Sequence, residues 1–246
     1  MGLPNRLVEW GLYVVHFQGK FMVKGLWVVI PAFNEGEVIA DVVAHVRGTY
    51  PNIVVVDDCS SDDTLELACQ AQAHVIRHPV NLGQGAALQT GITYALRAGA
   101  SCVVTFDADG QHQVADIATL LQIQAQTGAD IVVGSRFRGT TTNLPPVRRL
   151  VLKMAVVFSR VTSGVNLTDA HNGLRLITRG AALRLRIRQN RMAHASEIVN
   201  EIGRLKLKVA EAPVTIVYTE YSLRKGQKLS NAFNIVAELF VDKISR

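Results

Sequence analysis

The sequence contains little cysteine, and this excludes two common ways of holding a chain together. Cys59, Cys69 and Cys102 are the three cysteines among 246 residues. Their number is odd and none belongs to a C-x-x-C pair, which argues against a disulfide framework and against a zinc site. We interpret them as reduced, structural thiols.

Long uninterrupted apolar segments are also missing. The two most apolar candidates, residues 150–167 and 233–244, are broken by charged side chains. Neither suits a bilayer crossing, which takes about 20 predominantly apolar residues. The N-terminal residues lack a compact apolar core followed by a small-residue cleavage site, so the sequence predicts no secretory signal. We therefore expect a reaction in the cytoplasm.

Aromatic residues are sparse, at 6% of the chain, and they form no stacking run. A net charge of +6 and an isoelectric point of about 9.4 permit nucleic acid, anionic lipid or phosphorylated substrates as partners. A basic nucleic-acid-binding module is thus an alternative from another functional class. Because no helix-turn-helix pattern supports it, we expect no nucleic acid partner.

Two nucleotide-binding motifs are absent as well. A dinucleotide-binding dehydrogenase needs G-x-G-x-x-G after its first strand, and a P-loop enzyme needs G-x-x-x-x-G-K-[ST]. Neither string occurs in the chain. The nearest match, Gly83-Gln84-Gly85, is expected to open a helix.

What the sequence does contain is an alternation of short apolar strands and amphipathic helices. Strands are predicted at residues 27–31, 53–57, 102–107 and 131–134, with a later strand at 212–218. Helices are predicted between them, at residues 36–47, 63–71, 85–98 and 114–126. This alternation is typical of an α/β fold with a mostly parallel central sheet and helices on both faces. In such sheets, ligands bind beyond the carboxyl ends of the strands.

Acidic and polar residues follow the first two predicted strands. The first ends in Pro31-Ala32-Phe33-Asn34-Glu35, and the second ends in Asp57-Asp58. Carboxylates at these positions can accept hydrogen bonds from a base and a ribose. The following residues, Ser61, Asp62 and Asp63, are equally well explained as helix caps.

The third strand leads into Asp107-Ala108-Asp109-Gly110-Gln111-His112. Two carboxylates two residues apart can share a hard divalent cation and its bound diphosphate, because oxygen ligands suit Mg²⁺ and Mn²⁺. A lone D-x-D is weak evidence, but here two earlier acidic strand ends are expected on the same edge of the sheet. His112 is either a further metal ligand or a hydrogen-bonding neighbour.

The order of motifs PAFNE, VVDDCSSDDT, NLGQGAAL, DADGQH, GSRFRG and HNGLRL resembles that of family 2 glycosyltransferases. The resemblance is strongest to the dolichyl-phosphate mannose synthase-like, polyprenyl-phosphate branch, and it extends over residues 27–230. It implies a GT-A fold with a nucleotide-sugar crevice at the strand carboxyl ends. It also implies that the nucleotide sugar is held by Pro31, Ala32, Asn34, Glu35, Asp57, Asp58, Asp107 and Arg136.

The same resemblance implies a metal-dependent inverting transfer of a sugar from a nucleoside diphosphate sugar. Mg²⁺ or Mn²⁺ would be bound by Asp107, Asp109 and Gln111. The catalytic residues would be Asp109, Asp169, Arg224 and Lys228, and Arg175 would lie at the reaction centre.

The acceptor is expected to be a polyprenyl phosphate, because Arg136, Arg138, Arg175, Arg224 and Lys228 supply positive charge. The alternative is a sugar hydroxyl in cell-surface polysaccharide biosynthesis, which needs a base. Asp169 and Glu197 are the candidates for that base, although Glu197 is equally well explained as a residue on a helix face.

Three parts are expected along the chain. Residues 1–24 form an N-terminal extension, residues 25–230 form the glycosyltransferase domain, and residues 231–246 form an amphipathic helix. The domain ends in a basic, flexible loop at residues 221–230, suited to closing over a phosphate. The C-terminal helix carries one apolar stripe, which packs on the core or binds a membrane. We expect peripheral contact with the cytoplasmic face of the membrane.

Overall fold

A seven-stranded sheet organises the part of the chain that the computed structural model describes, which comprises residues 14–17, 20–23, 25–143, 146–191 and 193–225. In chain order the strands are β1 (Val14–Phe17), β2 (Lys20–Val23), β3 (Leu26–Ala32), β4 (Ile53–Asp57), β5 (His74–Arg77), β6 (Cys102–Thr105), β7 (Ile131–Thr142), β8 (Arg175–Thr178) and β9 (Val209–Val217). The sheet has the order β5-β4-β3-β6-β8-β7-β9, and β1 and β2 pair separately as an antiparallel hairpin.

The helices are α1 (Ile39–Arg47), α2 (Thr64–Gln70), α3 (Gln84–Arg97), α4 (Ala115–Thr127), α5 (Pro146–Ser163), α6 (Arg179–Arg184), α7 (His194–Arg204) and α8 (Glu220–Lys225). Buried side chains of β3 alternate between two cores: Val28 and Ile30 join α1, α2 and α4, whereas Trp27 and Val29 join α3, α6 and α7. This alternation follows from the two-residue period of a strand. Helices therefore cover both faces of the sheet, as the sequence predicted.

The predicted mostly parallel sheet is confirmed, with one strand that breaks the pattern. Strands β5, β4, β3 and β6 are mutually parallel, and β7 is parallel to β9. Strand β8 lies antiparallel between β6 and β7. Its first residue, Arg175, which the resemblance placed at the reaction centre, pairs through the main chain with Thr105 and Val133 and so belongs to the sheet.

The predicted basic loop at residues 221–230 is also partly wrong. Its first residues, 221–225, belong to the short helix α8. Gln227, Lys228 and the predicted C-terminal helix at residues 231–246 lie outside the described residues. Within the described part, no helix combines the length and apolar character needed to span a bilayer.

Helix α3 lies unusually close to the sheet, and Gly91 makes this possible. A Cβ atom on Gly91 would clash with Cγ1 of Val29 and lie 3.2 Å from Cγ2 of Val56. Such close approach brings the N-terminus of α3 beside the carboxyl ends of β4 and β6. The glycine thus fixes the distance between the helix and the strands that carry the acidic residues.

We predict that Gly91→Ala lowers the free energy of unfolding by about 1–3 kcal/mol, because overpacking outweighs the better helix propensity of alanine. The matched control is Gly180→Ala in α6, where an added Cβ meets no atom within 4 Å. Urea unfolding should show the control to be neutral or slightly stabilised. Equal behaviour of the two variants would contradict the close packing of α3.

Candidate active site

The polar residues after β3, β4 and β6 meet at one edge of the sheet. Ala32 pairs with Asp57 in the parallel ladder, and the amide of Asp58 donates to the carbonyl oxygen of Ala32 at 2.8 Å. Asn34, in a left-handed conformation at φ 54°, accepts from the amide of Ser61 at 2.9 Å. The first two acidic strand ends are therefore physically joined.

Asp57 keeps one carboxylate oxygen without a hydrogen bond. Its Oδ1 accepts from the amide of Ser60 at 3.1 Å. Its Oδ2 is buried and has no hydrogen-bond partner, although Nε of Arg77 lies 3.4 Å away. A buried carboxylate oxygen in this state has free capacity to accept a hydrogen bond.

Asp58 is occupied by its own chain. Its two oxygens accept from the amides of Leu82 and Gly83 at 2.9 and 2.6 Å, and Nδ1 of His78 lies 2.7 Å from Oδ1. The sequence predicted a nucleotide contact at Asp58. The observed contacts fix the loop that leads into α3, an arrangement that the sequence did not reveal.

The D-x-D segment adjoins the start of α3. Nε2 of Gln84 donates to Oδ1 of Asp107 at 3.1 Å, and Nε2 of His112 lies 3.0 Å from Oδ2. A Cβ on Gly173 would clash with the same carboxylate, so the loop before β8 lies directly on Asp107. Burial raises the pKa of Asp107, but His112, Arg175 and His194 together lower it below its ordinary value.

Asp109 has the opposite electrostatic balance. Burial raises its pKa to about 6, and the negative charges of Asp107 and Glu35 add to the increase. Its Oδ1 accepts from the amide of Gln111 at 3.1 Å. The crowding of like charges at Asp109 is the imbalance that a bound cation would relieve. The side chain of Gln111 remains a predicted metal ligand.

A second group of charges lies around Asp169, which is 1% exposed. Its Oδ2 accepts from the backbone amide and Nε of Arg136, at 3.0 and 2.6 Å, and from Nδ2 of Asn172 at 3.3 Å. The other end of the Arg136 guanidinium donates to the hydroxyl of Tyr218 at 2.8 Å. Arg136 and Asp169, for which the resemblance implied different roles, thus form one buried pair.

Glu211 on β9 supports this pair, and the sequence gave no signal for it. Its Oε1 accepts from the amide and hydroxyl of Thr168 and from the amide of Asp169, at 2.7, 2.8 and 3.1 Å. Its Oε2 lies 3.2 Å from Nε of Arg138. The loop that carries Asp169 is therefore held in place by a carboxylate from a distant strand.

Arg175 is 1% exposed, at the base of the site. Burial lowers its pKa, while the charges of Asp107 and Asp169 partly offset that effect. The expectation that Arg175 faces an acceptor phosphate conflicts with this burial. Nearby, burial and Arg175 lower the pKa values of His171 and His194 to about 4, which makes both rings neutral at pH 7.

Helix α8 holds the loop after β3, although the two are far apart in sequence. The hydroxyl of Tyr221 donates to Oε2 of Glu35 at 2.6 Å, and Nζ of Lys225 lies 2.7 Å from Oε1. Lys225 also donates to the carbonyl oxygens of Phe33 and Asn34, at 2.8 and 2.5 Å. Nearby, NH2 of Arg224 contacts both carboxylate oxygens of Glu37 at 2.9 Å.

Residues 27–185 match the family described as Glycosyl transferase family 2, which is more than half of the chain. The chain belongs to this family. The match begins in β3, includes all the acidic strand ends and ends just after α6. This chain is therefore an enzyme, a glycosyltransferase, as the order of motifs indicated.

Curated members of the family are similar along much of the chain. The UDP-N-acetylglucosamine–dolichyl-phosphate N-acetylglucosaminyltransferase of Methanococcus voltae is 31% identical over 91% of this chain and 98% of its own length. The polyprenol monophosphomannose synthase of Mycolicibacterium smegmatis is 39% identical over 62% of this chain and 61% of its own.

A solved structure of another enzyme is similar in fold. It is the glucosyl-3-phosphoglycerate synthase of Mycobacterium tuberculosis, in complex with Mn²⁺, uridine diphosphate and glucosyl-3-phosphoglycerate. The TM-score is 0.69 at 19% identity, covering 88% of this chain and 78% of that one. The predicted GT-A fold is confirmed.

We predict that Asp109→Asn stabilises the metal-free glycosyltransferase at pH 7. The carboxyl of Asp109 has a pKa of about 6 when folded, above its ordinary value of 3.8. Its ionisation therefore opposes folding above pH 6, and this cost disappears as the pH falls below about 4. Urea unfolding at pH 7 and at a pH below about 4 should show that Asp109→Asn is more stable than the wild type only at pH 7.

The control for this prediction is Asp41→Asn, at an exposed aspartate on α1. It should leave the difference between the two pH values unchanged. If Asp109→Asn proved less stable than the wild type at pH 7 without metal, the like-charge crowding at Asp109 would be refuted.

Proposed function

We propose that this glycosyltransferase moves a sugar from a nucleoside diphosphate sugar to a polyprenyl phosphate, with inversion at the anomeric carbon and with Mg²⁺ or Mn²⁺. The two curated relatives described above support the acceptor, since their names specify dolichyl phosphate and polyprenol monophosphate. They differ in the sugar, N-acetylglucosamine in one and mannose in the other. The proposal therefore leaves the donor sugar open.

The residues at the D-x-D segment fit a divalent cation. Asp107 and Asp109 offer hard oxygen donors. The pKa of Asp109 is raised by burial and then by the negative charge of Asp107, and a bound cation would offset both effects. Among the described residues, no group of three or more His, Cys, Asp or Glu forms a metal site by itself. The remaining ligands would come from the donor's diphosphate. A bound cation supplies positive charge to the departing diphosphate.

The loops after β3 and β4 suit a nucleotide. Oδ2 of Asp57 is buried, forms an ion pair with Arg77 and has no hydrogen bond, so it can accept one from a base or ribose. The loop after β3, which α8 holds in place, would contact the nucleotide through Pro31, Ala32, Asn34 and Glu35. Asp58 would act indirectly, because its oxygens keep the loop before α3 in position.

The choice of acceptor rests on one observation: both predicted bases already accept hydrogen bonds from other groups of the protein. Asp169 is 1% exposed and bound to Arg136. Oε2 of Glu197 accepts from the amides of Arg188 and Gln189, at 2.9 and 2.8 Å. A sugar hydroxyl must lose a proton as it attacks, so it needs a free base, whereas a lipid phosphate attacks as an anion. The geometry therefore favours the phosphate.

Positive charge for such a phosphate would come from Arg224, whose side chain is 67% exposed, and from Arg138, which is 54% exposed. Both are held by carboxylates, Glu37 and Glu211, so their guanidinium groups are positioned before an anion arrives. Lys228, the other cation predicted to be catalytic, lies outside the described residues. We assign Asp169 the role of positioning the guanidinium of Arg136.

We predict that Asp169→Asn lowers the free energy of unfolding by about 3 kcal/mol, because it leaves the buried guanidinium of Arg136 without its counter-charge. The matched control is Glu201→Gln, which breaks a pair with Arg204, an arginine that is 62% exposed, and should cost less than about 1 kcal/mol. Asp169→Asn should lose transfer activity only to the extent that it loses folded protein. A stable Asp169→Asn protein with no activity would instead identify Asp169 as the base.

The acceptor is tested with purified enzyme, Mn²⁺, and either UDP-N-acetylglucosamine or a mannose donor. Polyprenyl phosphate should be glycosylated. Arg224→Ala should raise the KM for this acceptor about tenfold, as expected for a lost charge-assisted contact, and leave the KM for the donor unchanged.

Arg204→Ala is the control for Arg224→Ala, since it also removes an exposed arginine paired with glutamate, on α7. It should leave both KM values unchanged. Transfer to a sugar hydroxyl, with none to polyprenyl phosphate, would overturn the proposed function.

A further inference from the structure

Helix α5 presents an apolar strip to the outside of the molecule. Met154, Val157 and Val161 are 63%, 60% and 79% exposed. Their spacing of three and four residues places them on one side of the helix. Exposed apolar residues grouped in this way mark an interaction surface more often than isolated ones do. We name these three side chains the α5 strip.

The charges of α5 are all of one sign. Its sequence, PVRRLVLKMAVVFSRVTS, contains four cationic residues, Arg148, Arg149, Lys153 and Arg160, and no acidic residue. Arg149 and Arg160 are exposed. A helix that combines an apolar strip with cations alone is complementary to an anionic, apolar surface.

The other side of α5 fastens it to the glycosyltransferase domain. Val156 and Ser159 are buried, at 8% and 3% exposed. The end of the helix lies against α7, where a Cβ on Gly203 would meet the carbonyl oxygen of Ser163. The outward position of the α5 strip is therefore set by packing on its opposite side.

The position of α5 in the chain links it to the acceptor side of the site. The helix follows β7, which carries Arg136 and Arg138, and it precedes the loop that carries Asp169. It therefore connects the two segments of the buried Arg136–Asp169 pair. Nε of Arg160 near the end of α5 donates to the carbonyl oxygen of Leu167 at 3.0 Å, so this end of the helix lies against the loop that carries Asp169.

We infer that the α5 strip is the face by which this enzyme docks on an anionic lipid bilayer. The inference rests on the proposed function, because a polyprenyl phosphate presents its phosphate at the level of lipid headgroups. The apolar side chains would enter the boundary between headgroups and acyl chains, and the arginines would contact lipid phosphates. Docking on α5 would bring the loop that carries Asp169 close to the membrane surface.

The test compares the full-length wild type with the triple variant Met154→Glu, Val157→Glu, Val161→Glu by sedimentation with vesicles of phosphatidylcholine and phosphatidylglycerol. The variant should bind at least about tenfold more weakly, because insertion is lost and negative charge is added. The matched control is Leu183→Glu on α6, at an apolar residue that is 50% exposed. It should bind as the wild type does.

Two results would overturn the inference. One is equal vesicle binding by the triple variant and the wild type, which would leave docking to another segment, such as residues 233–246. The other is an unchanged vesicle affinity with a loss of self-association in the variant, which would make the α5 strip a contact between two copies.

Two further measurements separate this inference from protein folding and from the proposed function. If the triple variant did not fold, Val161→Trp would report docking: its emission should shift to shorter wavelength with vesicles, and an unshifted emission would contradict docking. Transfer to a detergent-solubilised, short-chain polyprenyl phosphate should be the same in the wild type and the triple variant. Vesicle binding that depends on α5, without any transfer to that phosphate, would leave the docking face valid and refute the proposed acceptor.

Discussion

The buried positive charge of Arg175 is the feature on which both halves of the site depend. It lowers the pKa of Asp107 on the donor side, and its own pKa is supported by both Asp107 and Asp169. It also helps to keep His171 and His194 neutral. Because a buried charge is costly unless it is compensated, the carboxylates of the two halves cannot be changed independently of this arginine.

Among the described residues, the charges around Arg175 leave the carboxylate of Asp109 without an ion-pair partner, whereas the carboxylate of Asp169 is paired with Arg136. On the donor side, Asp109 is crowded by Asp107 and Glu35, which suits it to a cation. On the acceptor side, Asp169 is neutralised by Arg136, and Glu211 fixes the loop around it. On the proposed function, metal and nucleotide would complete the electrostatic balance of the donor half. On the proposed function, the acceptor half would supply positioned cations, and both predicted bases, Asp169 and Glu197, already accept hydrogen bonds within the protein.

The sequence predicted those parts of the fold that depend on local patterns. Apolar runs and helical periodicity located β3, β4, β6 and β7 and the helices α1 to α4, and the acidic strand ends located the D-x-D segment. Strand β8 was missed because four residues starting with Arg175 carry little local signal. The pairing of that arginine with the sheet depends on β6 and β7, which come earlier in the chain.

Side-chain partners distant in sequence could not be predicted in the same way. Tyr221 and Glu35 are 186 positions apart, and Thr168 and Glu211 are 43 apart. No periodicity or motif spacing relates such pairs. Asp58 illustrates the same limit: the sequence places it at a strand end, and only the structure reveals that His78, Leu82 and Gly83 are its partners.

We propose that the acceptor reaches this site as an anion that needs no base from the protein. The most direct measurement offers the wild-type enzyme polyprenyl phosphate and a sugar alcohol together, with Mn²⁺ and a nucleoside diphosphate sugar, and follows the products by phosphorus nuclear magnetic resonance. We expect the monoester signal of the lipid to be replaced by that of a sugar phosphodiester. A persistent monoester signal, accompanied by glycosylation of the alcohol, would contradict it.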